Sequence, residues 1–169
     1  MKEIKGINNN PMSISINDKE IGTFIKGGSI LPLRSRVRRS SKLGREEPYY
    51  LIIALDREEK ASGFLYIDDE ETYNFEKGRF SFKQFVYESG ELSIISRNDN
   101  YQFSSEIEKI VLTGISQSPR EVILLKQNKK GQKNLEFEFN KDEMILTINR
   151  LKISLDDNEW KIKLLYNSI

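Results

Sequence analysis

The stretch LEFEFNKDEMILTINRLKISLDDNEWKIKL, residues 135–164, decides what kind of protein this is. Its apolar residues recur every second position. Leu135, Phe137 and Phe139 alternate with Glu136 and Glu138. Met144, Leu146 and Ile148 follow, then Leu151, Ile153 and Leu155 against Lys152 and Ser154, and Trp160, Ile162 and Leu164 against Lys161 and Lys163. Successive side chains of an extended strand point to opposite faces, so this period of two describes strands with one wet and one buried face. The polar groups NKDE and DDNE between them supply turns, and such closely spaced alternating segments predict antiparallel sheets packed as a sandwich.

Outward from this stretch the same reading holds. MSISI (12–16) alternates Met12, Ile14 and Ile16 with Ser13 and Ser15. YYLIIAL (49–55), GFLYI (63–67), KIVLTG (109–114) and EVILLKQ (121–127) are continuously apolar, as central strands are. GISQSP (114–119) connects the last two with Gly and Pro. SSEIEKIVL (104–112) admits a helix capped by Ser105, with Ile107, Ile110 and Val111 on one face, but the β-branched run on to Gly114 favours a strand. The expected fold is all-β, an antiparallel β-sandwich.

Composition excludes several functions. The 169 residues hold 27 basic and 26 acidic side chains, so no net field attracts nucleic acid or an anionic membrane. No run approaches the roughly 20 apolar residues of a membrane-spanning helix. MKEIKGINNN at the start lacks the apolar core of a secretory signal, so no targeting signal is read here. There is no Cys and no His, which removes disulfides, thiolates and the commonest general base and metal ligand. No cofactor and no metal site is expected. No Asn-x-Ser/Thr sequon occurs either, so no N-linked sugar is expected on this chain.

Four features carry candidate chemistry. In ASGFLYIDDEETYNFEKGRFSFKQF (61–85), Asp68, Asp69, Glu70 and Glu71 stand together. Paired carboxylates hydrolyse glycosides, but neighbours on one strand diverge, and DDEETYNFEKG lacks the ligand spacing of a calcium loop. A solvated turn between two strands is the plainer reading, and no catalytic residue is assigned. Gly27-Gly28 precedes an extended SILPL segment rather than a helix, which suits a tight turn or close packing better than a phosphate cradle. RSRVRRSSKLGREEP (34–48) carries Arg34, Arg36, Arg38, Arg39, Lys42 and Arg45 with few apolar residues, a long surface connection able to dock on an acidic partner. Among the frequent aromatics, most are expected to face the core, with Tyr73 and Phe75 the pair expected to be exposed. That pair is the platform of an alternative reading, a free-standing carbohydrate-binding sandwich.

Taken in order, IGTFIKGGSILPL, RVRRSS and EEPYYLIIALDREEKASGFLYIDDEETYNFEKGRF resemble the C-terminal part of family 31 glycoside hydrolases. The family pattern runs Arg-Gly-Gly-x-Ile-x-Pro, Pro-x-x-Leu-x-x-Ala-Leu, Ala-x-Gly and Leu-Tyr-x-Asp-Asp-Gly. Lys26 stands where the family has Arg, and Glu70 where it has Gly. The resemblance covers residues 20–90 well and weakens from 104 to 127. It implies a retaining α-glucosidase of the endoplasmic-reticulum lumen that trims glucose from N-linked glycans. Its catalytic aspartates would lie on a (β/α)₈ barrel, and nothing here alternates strand and helix as a barrel does. The chain is then expected to be non-catalytic, bracing that barrel, with a regulatory β-subunit as a further partner and substrate glycan reached through the parent. It also implies two units, residues 1–48 as part of a proximal β domain with the basic connection, and 49–169 as a distal sandwich.

Overall fold

A computed structural model describes residues 13, 15–19, 21–34, 36, 39, 44–45, 47–126, 131–157 and 159–167. Met12, Ile14, Val37, Arg38, Lys42 and Leu43 of the segments discussed above lie outside them. The described residues are almost entirely β. The strands are β1 (Ser29–Leu33), β2 (Tyr49–Ala54), β3 (Ala61–Ile67), β4 (Ser81–Glu88), β5 (Glu91–Asp99), β6 (Glu106–Thr113), β7 (Glu121–Lys126), β8 (Gln132–Leu135), β9 (Phe137–Asn140), β10 (Ile145–Ile148), β11 (Ile153–Ser154) and β12 (Trp160–Leu165). A short 3-10 helix, Tyr73–Lys77, follows β3.

The strands form one hydrogen-bonded path, β8-β7-β12-β5-β4-β3-β1-β2-β6-β10-β9, with β11 on β6. Its two ends, β8 and β9, are consecutive in sequence and separated only by Glu136. LEFEF is therefore not one strand as its alternation suggests. Leu135 pairs with Val122 of β7, whereas Phe137 pairs with Ile148 of β10. A path whose ends meet has curved right round, giving a closed two-layered sandwich with a shared interior. Phe85 and Trp160 from one half, 6.5 Å apart, and Leu51, Ile110 and Leu146 from the other belong to a single buried cluster. The inward residues of the opening stretch behave as its alternation requires: Leu146, Ile148, Leu151, Ile153, Leu155, Trp160, Ile162 and Leu164 are all buried.

Most pairings are antiparallel, but β2 and β6 run parallel, from Tyr49↔Ile107 to Ala54↔Thr113. A parallel pair requires a long excursion between its strands, here β3 through β5. The segment 104–112 is strand, and Ser105 does not cap a helix. Its Oγ donates to the Glu47 carbonyl at 2.9 Å, locking the start of β6 beside β2. Strand β1 lies before the boundary expected at residue 48, yet it pairs along its length with β2 and buries Ile30 in the common core. The described strands thus start at Ser29. Upstream, Ser13, Ser15 and Ile16 of the first alternating segment are not in strand, and Ile16, Ile21 and Phe24 are exposed. Alternation becomes a strand only where a sheet edge accepts it, and none is offered there.

The corner between the layers is set by a glycine. β1 meets β3 at one parallel pair, Ser29↔Ser62. A Cβ on Gly63 would lie 1.9 Å from the Ile30 carbonyl oxygen. Ala61, Leu65 and Ile67 face the core, so that missing Cβ also points inward, and the β1 backbone passes beneath β3 into the opposite layer. Gly63→Ala drives a methyl into fixed backbone, and a loss of about 3 kcal/mol or more is expected. On a domain of this size that is a drop on the order of 10 °C in the thermal midpoint, readable by calorimetry.

Among the described strand residues, one fully buried position is charged. Lys83, between the buried Ser81 and Phe85 of β4, is 0% exposed, and its Nζ lies 2.5 Å from Asp99 Oδ1 and 3.4 Å from Ser96 Oγ. Removing one partner of a buried pair strands the other. Asp99→Ala is expected to cost about 2–3 kcal/mol in denaturant unfolding, and Lys83→Met, which removes the charge that needs a partner, distinctly less.

Candidate functional site

The acidic turn is closed by its own backbone. Asp68 Oδ1 accepts from the Glu70 amide at 2.9 Å, and its Oδ2 accepts from the Tyr66 hydroxyl at 3.0 Å. Asp69 accepts from the amides of Glu71 and Thr72 at 3.1 and 2.9 Å and from the Thr72 hydroxyl at 2.6 Å. Thr72 Oγ1 in turn accepts from the Asn74 amide, starting the 3-10 helix, which Gly78 ends at φ 79°. Glu70 adopts φ 53°, the left-handed region that favours glycine. The family's glycine at this place therefore has a conformational reason, and the Asx turn from Asp68 compensates for its replacement.

These four carboxylates do not converge. Among the described residues, no three acidic groups are placed to hold a metal ion. Glu70 and Glu71 face Arg45, whose guanidinium lies 3.3 and 3.4 Å from them. Of the basic segment, the described Arg34, Arg36 and Arg45 thus contact this chain. Arg36 lies 3.4 Å from Glu47 and 3.2 Å from Glu108. Arg34 sits 4.6 Å over the Tyr49 ring and donates to the Arg45 carbonyl. Solvent-exposed pairs of this kind contribute up to about 1 kcal/mol each, so they fasten the segment weakly.

Gly28 (φ 86°) donates to the Ala54 carbonyl at 2.8 Å and accepts from the Ser62 amide at 3.0 Å, and β1 follows it directly. It is a turn that joins three strands. Lys26 just before it is exposed.

The aromatics depart from expectation. Tyr49, Phe85 and Tyr87 are buried as foreseen, and Tyr73 (77% exposed) and Phe75 (39%) are open. Phe64 and Tyr66, however, are 53% and 48% exposed. They point outward from β3 because Gly63, Leu65 and Ile67 hold the inward positions. Phe64 stacks on Phe82 with centroids 5.4 Å apart and planes at 15°, and Tyr66 stacks on Phe80 at 5.2 Å and 30°. This outer aromatic face escaped the sequence reading, although the alternation Gly63-Phe64-Leu65-Tyr66-Ile67 contained it. A continuous apolar run conceals which alternate residues face solvent.

No family model matches the chain, but relatives do. It is 35% identical over 164 residues to the neutral alpha-glucosidase AB of Dictyostelium discoideum, covering 95% of this chain and 17% of that protein. It is 31% identical over 167 residues to the glucosidase 2 subunit alpha of Saccharomyces cerevisiae, covering 89% and 17%. Among solved structures, the endoplasmic-reticulum glucosidase II heterodimer of catalytic subunit and regulatory-subunit binding domain superposes with a TM-score of 0.69. That match has 23% identity and covers 82% of this chain and 16% of the solved one. The chain belongs among the α-glucosidase relatives of glycoside hydrolase family 31. Its relatives include neutral alpha-glucosidase AB and glucosidase II α subunits, and the chain spans about 17% of the length of the two named here.

The acidic turn has a pH signature. Its hydrogen bonds hold the Asp69 carboxyl down at about 2, the Thr72 hydroxyl contributing most. A depressed carboxylate stabilises the fold above its unfolded pKa, and this contribution is lost as pH falls toward 2. Thermal midpoints of wild type and Asp69→Asn are expected to differ above about pH 5 and to converge at pH 2. A gap of constant size over that range would contradict the hydrogen-bonded carboxylate.

Proposed function

We propose that the chain is a non-catalytic accessory sandwich of an α-glucosidase that removes glucose from N-linked glycans in the lumen of the endoplasmic reticulum. The observation that carries this reading is 35% identity spread over 95% of the chain but only 17% of the relative. Three further features support it. The described residues form a sandwich with its own closed core, unlike the alternating strands and helices of a catalytic barrel. Their most conspicuous carboxylates are engaged in a turn and with Arg45. An apolar strip remains open upstream of the sandwich. Ile21 and Phe24 are exposed, and Leu31 and Leu33 follow on β1, beside Ile52 and Tyr50 of β2.

That strip is where the parent's body bears on this chain. Burying it braces the barrel against β1 and β2, and the stretch before Ser29 belongs to a proximal β domain completed by the parent. The division therefore falls near Gly28 rather than at residue 48. The regulatory β-subunit seen with the solved homologue is the natural further partner. Arg34, Arg36 and Arg45 each contact this chain, and Arg36 stays half exposed beside Glu47 and Glu108.

An antibody raised against this chain tests the parentage by immunoblot of source cells. A band several times heavier than 19.7 kDa in the microsomal fraction is the expected result. A band at the chain's own mass would instead establish a free-standing β protein and overturn the accessory role.

A further inference from the structure

The apolar strip on β1 and β2 accounts for one side of the sandwich; the opposite layer carries another exposed apolar surface. On β3 and β4 the outward residues are Phe64, Tyr66, Phe82 and, just before β4, Phe80. They form two stacked rungs, Phe64 with Phe82 and Tyr66 with Phe80. Successive outward positions on a strand lie about 7 Å apart, so the rungs follow one another along the strand rather than gathering into a knot. In register with Phe64 stand Gln84 on β4 and Ile95 on β5, the latter also exposed. A bulge between Phe82 and Lys83 leaves Arg97 without a ladder partner, and its Nε donates to Gln84 Oε1 at 2.9 Å. Asp68, bonded to the Tyr66 hydroxyl, closes the other end.

Charge narrows what fits. A polyanion such as single-stranded nucleic acid uses aromatic rungs only along a basic groove. Here Arg97, the cation beside the rungs, is turned onto an amide, Lys161 and Lys163 farther across the sheet are paired with Glu91, and a carboxylate lies at the far end. The surface combines ring faces with amide, guanidinium, hydroxyl and carboxylate groups at the rim. Sugar C–H faces pack on rings while hydroxyls exchange hydrogen bonds with such a rim, so an uncharged chain of sugars complements it.

We propose that the outer face of β3 and β4, built on Phe64, Tyr66, Phe80 and Phe82, is a non-catalytic binding platform for neutral glucose oligosaccharides. The choice of glucose rests on the proposed parentage; the platform itself rests on the geometry. It holds a glycan on the side of the sandwich away from the β1–β2 strip, without touching the bond that is cleaved.

The test uses the 169-residue chain and three probes: an α-1,3-linked glucose disaccharide, maltotriose and cellotriose. NMR titration reads side-chain signals of Phe64, Tyr66, Phe80 and Phe82. Saturable shifts confined to this face with the α-linked probes are expected. Phe64→Ala and Tyr66→Ala should weaken binding about tenfold or more, since each removes a ring face. Ile95→Arg, which leaves the rings intact and covers them with a long side chain, should do the same. All three positions are exposed, so unchanged thermal midpoints show that the fold is kept. Tyr73→Ala should leave affinity unchanged. No saturable shift with any probe overturns the platform, whatever the immunoblot shows of the parent. So does binding lost in Tyr73→Ala but kept in Phe64→Ala, or a face that answers only to a protein partner. Equal binding of cellotriose keeps the platform and overturns its restriction to α-linked glucose, and with it the link to the proposed parent.

Discussion

The whole molecule depends on closure. Strands β8 and β9 are two halves of one extended segment, divided at Glu136, that cap opposite ends of the hydrogen-bonded path. The two outer edges of the path, on β8 and β9, are only four residues long each, too short to offer a long template to another strand. The other turning point, where the Ile30 carbonyl slides beneath Gly63, is equally confined, since only a residue without Cβ lets two backbones approach so closely. Between these two points the inward residues of every long strand converge on one core.

The same economy governs the charges. Nearly equal numbers of acids and bases are arranged so that neighbours in space neutralise each other within the chain. Arg45 answers Glu70 and Glu71, Arg36 answers Glu47 and Glu108, and Lys161 and Lys163 answer Glu91. Each tie is modest in water. Among them, the two ties of Arg45 join the acidic run to the basic connection. Lys83 is the exception in depth: it holds a charge inside the sandwich, and Asp99 makes that tolerable.

Two exposed apolar surfaces lie beyond these charged segments. One apolar strip runs from Ile21 and Phe24 onto Leu31 and Leu33 of β1 and is open to solvent. The aromatic rungs of β3 and β4 lie in the other layer and are free to meet a ligand. A sandwich with two differently equipped sides suits the accessory role proposed above, with bracing on one side and glycan on the other.

By itself the sequence determined the β class, the inward faces of the alternating strands and the family, because period two and motif order are local properties. It also determined that DDEE is a turn, since adjacent strand residues diverge, and that Gly27-Gly28 leads into a strand. Tertiary structure alone decided that LEFEF breaks at Glu136, because alternation records which face is buried and not which neighbour receives the backbone hydrogen bonds. It decided that β2 and β6 run parallel, that β1 joins the sandwich, and that Arg36 and Arg45 pair with carboxylates of this chain's own surface, all pairings between residues far apart in the chain. It decided, too, that Phe64 and Tyr66 face water. In a run where every residue is apolar, burial is assigned by the layer that closes over one side, and only the folded chain chooses that side.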